Sequence, residues 1–208
     1  MTMLAKLTPP ARRIVVRSGL LAMDAGRLVV GTDLLLLALA EADGDIRDAG
    51  AGSGGTGLAG GLAARGVTAD AVRGEIQRRR GGPGRRPDRE LLALLGIDLD
   101  EVRRRVSEAT STDAGDPALW HLRRSRVRPL RLTLAGPAGS LLLDGPSRKV
   151  VEVAAWACRR GGRHLATAED LLWGLLADGA NESVRILRRL GVDLPRLWSD
   201  LKRWHTAA

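Results

Sequence analysis

Hydrophobic positions recur every three or four residues through most of the chain, the spacing of helices that bury one face. Thr8 followed by Pro9 and Pro10 reads as a helix start: the threonine hydroxyl can take a free first-turn amide, and proline tolerates the first helical positions. The helix predicted there runs from Ala11 to about Ala25, with Ile14, Val15, Leu21 and Ala22 on its apolar face and Gly26 at its stop. A second start stands at Gly31-Thr32-Asp33, where Thr32 can cap and Asp33 sits near the positive end of the helix dipole. Leu34 to Ala42 would be that helix. It is apolar almost all round and is therefore expected to be buried.

One pattern appears three times, at Leu62 to Ile76, Leu92 to Val106 and Leu187 to Leu201. Each copy reads as a helix ending at a glycine (Gly66, Gly96, Gly191), one apolar residue, then a Thr or Asp that caps a second helix. This is an αα-corner with its caps written in, and its recurrence points to a duplicated helical unit.

The second half repeats the first in order. Pro146 to Arg160 is amphipathic, with Val150, Val151, Val153, Ala154 and Ala157 available for burial. Thr167-Ala168-Glu169-Asp170 resembles a capping box in which Asp170 replaces the usual Glu or Gln. Leu171 to Ala177 and Glu182 to Leu190 are predicted as short helices ahead of the last corner. The expectation is an all-α fold: a pseudo-twofold duplicated four-helix repeat, with a first repeat over residues 7–78 and a second over 146–204. Residues 79–145 would hold an Arg-rich linker, the extra corner (88–110) and a connector. In that connector Leu130, Leu132 and Leu134, then Gly136-Pro137-Ala138-Gly139, then Leu141 to Leu143 can make a small β-hairpin, with an irregular connector as the alternative.

Composition narrows what such a fold can do. Hydrophobic residues make up 44% of the chain with no Phe and no Tyr, so the core must be Leu, Val, Ile and Ala around five tryptophans. Trp173 and Trp198 fall at core-type positions, whereas Trp120 and Trp204 are the candidates for exposed contact. The formal charge of +9 comes from 33 basic residues, of which only Lys6, Lys149 and Lys202 are lysine. A basic surface can attract nucleic acid, an anionic membrane or an acidic protein; the same arginine bias also follows from a GC-rich genome. The lone cysteine, Cys158, excludes an internal disulfide and a cysteine-based metal cluster, and its place on a helix suits a small buried apolar side chain. The start lacks the apolar core of a signal peptide and Leu34 to Ala40 is too short to span a bilayer, so no membrane association and a cytoplasmic location are expected.

Catalytic patterns are missing from the sequence. Gly50-Ala-Gly52-Ser-Gly54-Gly55 matches G-x-G-x-x-G only formally, because that fingerprint needs a preceding strand, so a loop is expected. Lys149 and Lys202 lack the glycine frame of a nucleotide-binding loop. His121, His164 and His205 are not at metal-ligand spacing. The expectation is therefore no catalysis, no cofactor and no metal.

Taken together, these segments resemble the Clp ATPase amino-terminal (Clp R) repeat domain. The first half carries it in Thr8-Pro9-Pro10-Ala11-Arg12-Arg13-Ile14-Val15-Val16, in Gly31-Thr32-Asp33-Leu34-Leu35-Leu36-Leu37-Ala38-Leu39, and at the Gly66 corner. The second carries it in Arg148-Lys149-Val150-Val151, in Ala168-Glu169-Asp170-Leu171-Leu172-Trp173-Gly174-Leu175, and in Leu187 to Leu201. The family versions look like F-T-x-R-A-R-R-V, G-T-E-H-I-L-L-G-L and L-x-x-L-G-V-x-L-x-x-V-R. This chain departs in its extra corner, its linker and glycine loop, in Thr167-Ala168 where the family shows Gly-Thr, and in having no Phe before Thr8.

The resemblance implies a recognition module that, on full-length Clp unfoldases, receives adaptors and substrates for the ATPase ring. Here it would be free-standing, an adaptor, decoy or peptide-sequestering protein whose partners are Clp ATPase or protease subunits or their substrates. In some relatives the acid of the Gly-Thr-Glu motif in each repeat helps bind phosphorylated arginine, and certain relatives bind cyclic peptides. Carried over by position, the candidate ligand-binding residues are Thr32, Asp33 and Glu169. The alternative for both acids is a first-turn carboxylate that stabilises its helix by about 0.3 to 1 kcal/mol. A rival function, a basic helix-turn-helix nucleic-acid-binding regulator, rests on the clusters Arg78 to Arg86 and Arg123 to Arg131. Those arginines concentrate in linkers rather than on the second helix of a corner, which disfavours it.

Overall fold

The computed structural model of the protein describes residues 3–48, 61–80, 115–125 and 131–207. The glycine run 50–55, the linker beyond residue 80, the corner at 92–106 and Leu130 lie outside the described residues, as does the Trp204 side chain. Seven α-helices occur among the described residues: α1 (Pro9–Asp24), α2 (Thr32–Asp48), α3 (Ala69–Arg80), α4 (Gly145–Arg160), α5 (Ala168–Ala177), α6 (Glu182–Arg189) and α7 (Leu194–Ala207).

The caps are where the residue types demand them. Thr8 Oγ1 accepts from the Ala11 amide at α1, and Asp144 Oδ1 accepts from the Ser147 amide at α4. At α5 a full capping box forms between Thr167 and Asp170. Both first helices end alike, with Gly26 (φ 65°) after α1 and Gly162 (φ 70°) after α4. Both corners turn on a left-handed glycine, Gly66 (φ 77°) and Gly191 (φ 74°). Each corner is closed by the same bond, Val67 N–H to the Leu62 carbonyl and Val192 N–H to that of Leu187. The halves differ in one respect: Gly66 is preceded by a short 3₁₀ turn, Ala63–Arg65, where the second half has the full helix α6. Among the described residues the four-helix repeat is therefore complete only in the second half.

The all-α expectation requires correction, because four strands form one sheet in the order β1-β4-β3-β2. The hairpin is there as β3 (Leu132–Gly136) and β4 (Gly139–Leu143), paired from Leu132↔Leu143 to Gly136↔Gly139. Its inward Leu132, Leu134, Leu141 and Leu143 are buried. A lone hairpin is marginal in water. Both of its edges are taken up here, by β1 (Val29–Val30) parallel to β4 and by β2 (His121–Arg124) antiparallel to β3.

Trp120 corrects a second expectation. It precedes β2 and is 1% exposed, the largest fully buried side chain among the described residues, rather than a surface contact. Gly136 makes the room: a Cβ there would lie 2.2 Å from the indole ring. Trp173 and Trp198 stack with centroids 4.0 Å apart, half-buried where α5 packs on α7.

A single continuous core draws on both halves. The apolar segment Leu34 to Ala40 is buried throughout, and α2 packs against α1 and α3 of its own half and α4, α5 and α6 of the other. Burying this helix removes apolar surface at about 25 cal/mol per Å², which makes it the main tie between the repeats. No helix among the described residues is long and apolar enough to cross a membrane.

Candidate functional site

The repeats are joined through the segments that lead into their helices. Leu7, just before α1, forms a parallel bridge with Ala166, just before α5; Leu143, just before α4, pairs in parallel with Val30, just before α2. The segment before each half's first helix thus pairs with the segment before the other half's second helix. These junctions bring the amino-terminal ends of α1 and α5 together, and those of α4 and α2.

Thr32 and Asp33 lie at the α4/α2 junction. Thr32 is 2% exposed and is the first residue of α2 rather than its cap. Its hydroxyl oxygen accepts from the Ser183 amide in the first turn of α6, at 3.3 Å. That amide is one of the first-turn donors a helix cannot satisfy internally, so Thr32 completes a helix of the opposite half. The remaining cap of α6 comes from Asn181, which accepts from Val184 and donates to the Leu175 carbonyl.

Asp33 is held by a guanidinium. Arg27, the residue after Gly26, donates Nη1 to Asp33 Oδ2 at 2.5 Å and Nη2 to Oδ1 at 3.3 Å, the two-pronged geometry of strong arginine–carboxylate pairs. The Asp33 side chain is 13% exposed and that of Arg27 30%. Gly31 lies under this pair. A Cβ on it would come within 2.4 Å of Asp33, 2.7 Å of Arg27 and 3.5 Å of Asp144 Oδ2, so a second carboxylate borders the same spot.

The equivalent loop in the second half has the same device in a different register. Arg163, the residue after Gly162, donates Nη1 to Asp170 Oδ2 at 3.0 Å and Nη2 to Oδ1 at 2.8 Å. Asp170 is fully buried and also accepts from the Thr167 amide and hydroxyl. That bond to Asp170 holds the Arg163 guanidinium above its ordinary range. Glu169, the positional counterpart of Asp33, is half-buried on α5 and adds its charge to those around Arg163, after that of Asp170. The acid that performs in the second half what Asp33 performs in the first is therefore Asp170.

Arg27, Asp144, Arg163 and Asp170 belong to this arrangement without being among the motif positions Thr32, Asp33 and Glu169. A signal for two of them was present: both halves place an arginine directly after a helix-stopping glycine, at Gly26-Arg27 and Gly162-Arg163. Beside them Cys158 is buried, and its thiol donates to the Arg163 carbonyl at 3.0 Å. Burial pushes that thiol up, and the Asp170 carboxylate pushes it further. Among the described residues no group of three or more His, Cys, Asp or Glu side chains is placed to hold a metal ion.

No protein-family model matches the chain, and no curated protein matches its sequence. Solved structures do share its fold. The N-terminal domain of ClpD, a caseinolytic protease-associated chaperone of Arabidopsis thaliana, superposes with a TM-score of 0.54 at 17% identity, covering 96% of each chain.

Proposed function

We propose that the protein is a non-catalytic, protein-binding module of a Clp chaperone-protease system, acting as an adaptor, a decoy or a sequestering partner for peptide segments. The observation that carries this reading is the fold likeness to a Clp N-terminal domain along 96% of both chains, reached with the helix-start motifs of both repeats in place. Partners would be Clp ATPase or protease subunits, or the substrates and adaptors those subunits receive. The two junctions between repeats are the candidate contact points, with Thr32 and Asp33 at one and Glu169 beside the other. Phosphoarginine-bearing or cyclic peptides are the ligand classes the resemblance suggests.

A nucleic-acid role fits the side-chain pairing less well. Three arginines of α3, the second helix of the first corner and not a linker, are engaged by acids, Arg73 by Glu41 and Asp70, Arg78 by Glu75 and Arg79 by Glu182. Side chains neutralised within the fold release few counterions from a phosphate backbone.

The test is affinity capture with the intact protein as bait, probed for a Clp ATPase subunit, with wild type beside an Asp33→Ala/Glu169→Ala double variant. Capture by wild type that is lost in the double variant supports the reading and the site. Equal capture by both sinks the site, and the absence of any Clp subunit sinks the reading.

A further inference from the structure

The two arginine–carboxylate pairs look alike but differ in what it would take to open them. Asp170 is fully buried and already accepts four hydrogen bonds, two from Arg163 and two from Thr167. Withdrawing Arg163 would strand a desolvated carboxylate and break its part in the α5 cap. Among the described residues, Asp33 is bonded through its carboxylate by Arg27 alone. Arg27 lies on a loop between a glycine and a two-residue strand, with 30% of its side chain in solvent, so its guanidinium sits at the edge of the core rather than within it. Asp144 Oδ2, bordering the same spot, has no hydrogen-bond partner among the described residues.

We infer that Arg27 is an autoinhibitory occupant of the Asp33 site, displaced when a partner's arginine side chain takes its place, and that Arg163–Asp170 is a permanent clamp. The inference rests on the functional reading above and concerns how its site is regulated. An arginine side chain is the ligand class the resemblance implies for this acid, and the cost of the exchange agrees with it. Removing Arg27 alone leaves a mostly buried carboxylate unpaired, which is unfavourable. A second guanidinium restores both prongs, so the exchange is close to balanced. An ammonium cannot restore them, because it offers no planar fork to two carboxylate oxygens. The incoming group meets two carboxylates, Asp33 and Asp144, with Arg27 released to solvent. The chain accordingly has one regulated acceptor, in its first half, and not two equivalent ones.

The apparent affinity of a site blocked by its own side chain is lowered by the fraction of molecules in which it is open. Titrating the intact protein with N-acetyl-arginine amide, followed by NMR or calorimetry, should give weak binding to wild type. Arg27→Ala should bind about tenfold or more tightly, as expected if the native pair is closed about nine-tenths of the time. Arg27→Gln, which keeps a hydrogen-bond donor on Asp33, should fall between the two and serves if Arg27→Ala folds poorly. N-acetyl-lysine amide should gain nothing in any variant, Arg27→Ala/Asp33→Asn should lose the gain, and Arg163→Ala should not produce one. Binding by Arg27→Ala and Arg27→Gln no tighter than by wild type overturns the inference, as does an equal gain for lysine. Clp-subunit capture by wild type separates the two readings: retained without the arginine gain, it leaves the partner and removes the gate. Lost alongside a clear gain, it leaves the gate and removes the partner.

Discussion

Arg65, at the first corner, is ion-paired with Asp200 on α7. The reverse pairing holds at the second corner, where Arg189 stands 3.7 Å from Glu75 on α3. Glu75 and Asp200 lie the same number of residues beyond their corner glycines, so each repeat offers its closing helix's acid to an arginine of the other. Partly exposed ion pairs add little stability singly. Their value here is positional, since α3 and α7 are each tied across the pseudo-twofold.

The acid limb of stability should report Asp200, which is paired with Arg203 on its own helix as well as with Arg65 across the repeats. Hydrogen bonding from Arg203 holds the Asp200 carboxyl below its ordinary value of 3.8, with further help from the charges of Arg203 and Arg65. A depressed folded-state value means that the contribution is fully present above about pH 4 and is lost as pH falls through the folded-state value. Denaturant midpoints from about pH 7 to pH 2 should therefore show wild type above Asp200→Asn at neutral pH, with the two curves converging in acid. A constant offset at every pH would refute the assignment.

Gly136→Ala should be destabilising by about 1 to 3 kcal/mol, the usual cost of forcing an extra carbon into a packed core. The new Cβ would press on the buried Trp120 ring, which has no exposed direction to move into. The check is equilibrium unfolding together with tryptophan emission, which should shift as Trp120 is pushed from its site. Unchanged stability would mean that the ring can relocate freely.

Thr32→Val should cost about 1 to 3 kcal/mol by leaving the buried Ser183 amide without its acceptor, while Thr32→Ser should be much milder. Loss of amide protection at Ser183 in hydrogen exchange would localise the effect to α6. Equal costs for Val and Ser would show that the methyl group matters and the hydroxyl does not.

Much of the fold was legible because it is written in local chemistry. Thr8 and Thr167 had free first-turn amides to satisfy, and Leu34 to Ala40 had no polar face to show solvent. The hairpin was visible in alternating leucines, but the rest of the sheet was not. β1 is two residues long, and β2 reads His-Leu-Arg-Arg with only Leu122 buried, so neither carries a periodic signal. Trp120 was misplaced for a related reason: its burial depends on a glycine on another strand. At the candidate site the motif pointed to Asp33 and, by position, to Glu169, yet the loop arginine of the second half chooses Asp170. A capping box draws the third helical residue back toward the loop, and that geometry is invisible to an alignment of helix starts.

The two arginine–carboxylate pairs should separate in a stability measurement before any ligand is added. Arg163→Ala takes the guanidinium away from an Asp170 carboxylate with no exposure to water, which places its cost in the range of about 3 to 5 kcal/mol found when one partner of a buried pair is removed. Arg27→Ala leaves Asp33 with partial solvent access, so its cost should be clearly smaller. Asp170 also raises the Cys158 thiol, after burial, and a thiol raised in the folded state makes stability fall as pH climbs past the ordinary value of 9.0. The native thiol should accordingly react slowly with a thiol-specific reagent at pH 8 and quickly once unfolded. In Arg163→Ala one of the two charges that lower it is gone, with Arg159 remaining, so protection should persist wherever the fold survives. Equal losses of stability from Arg27→Ala and Arg163→Ala would show that the halves hold their acids alike, and would remove the physical basis for treating one as a gate and the other as a clamp.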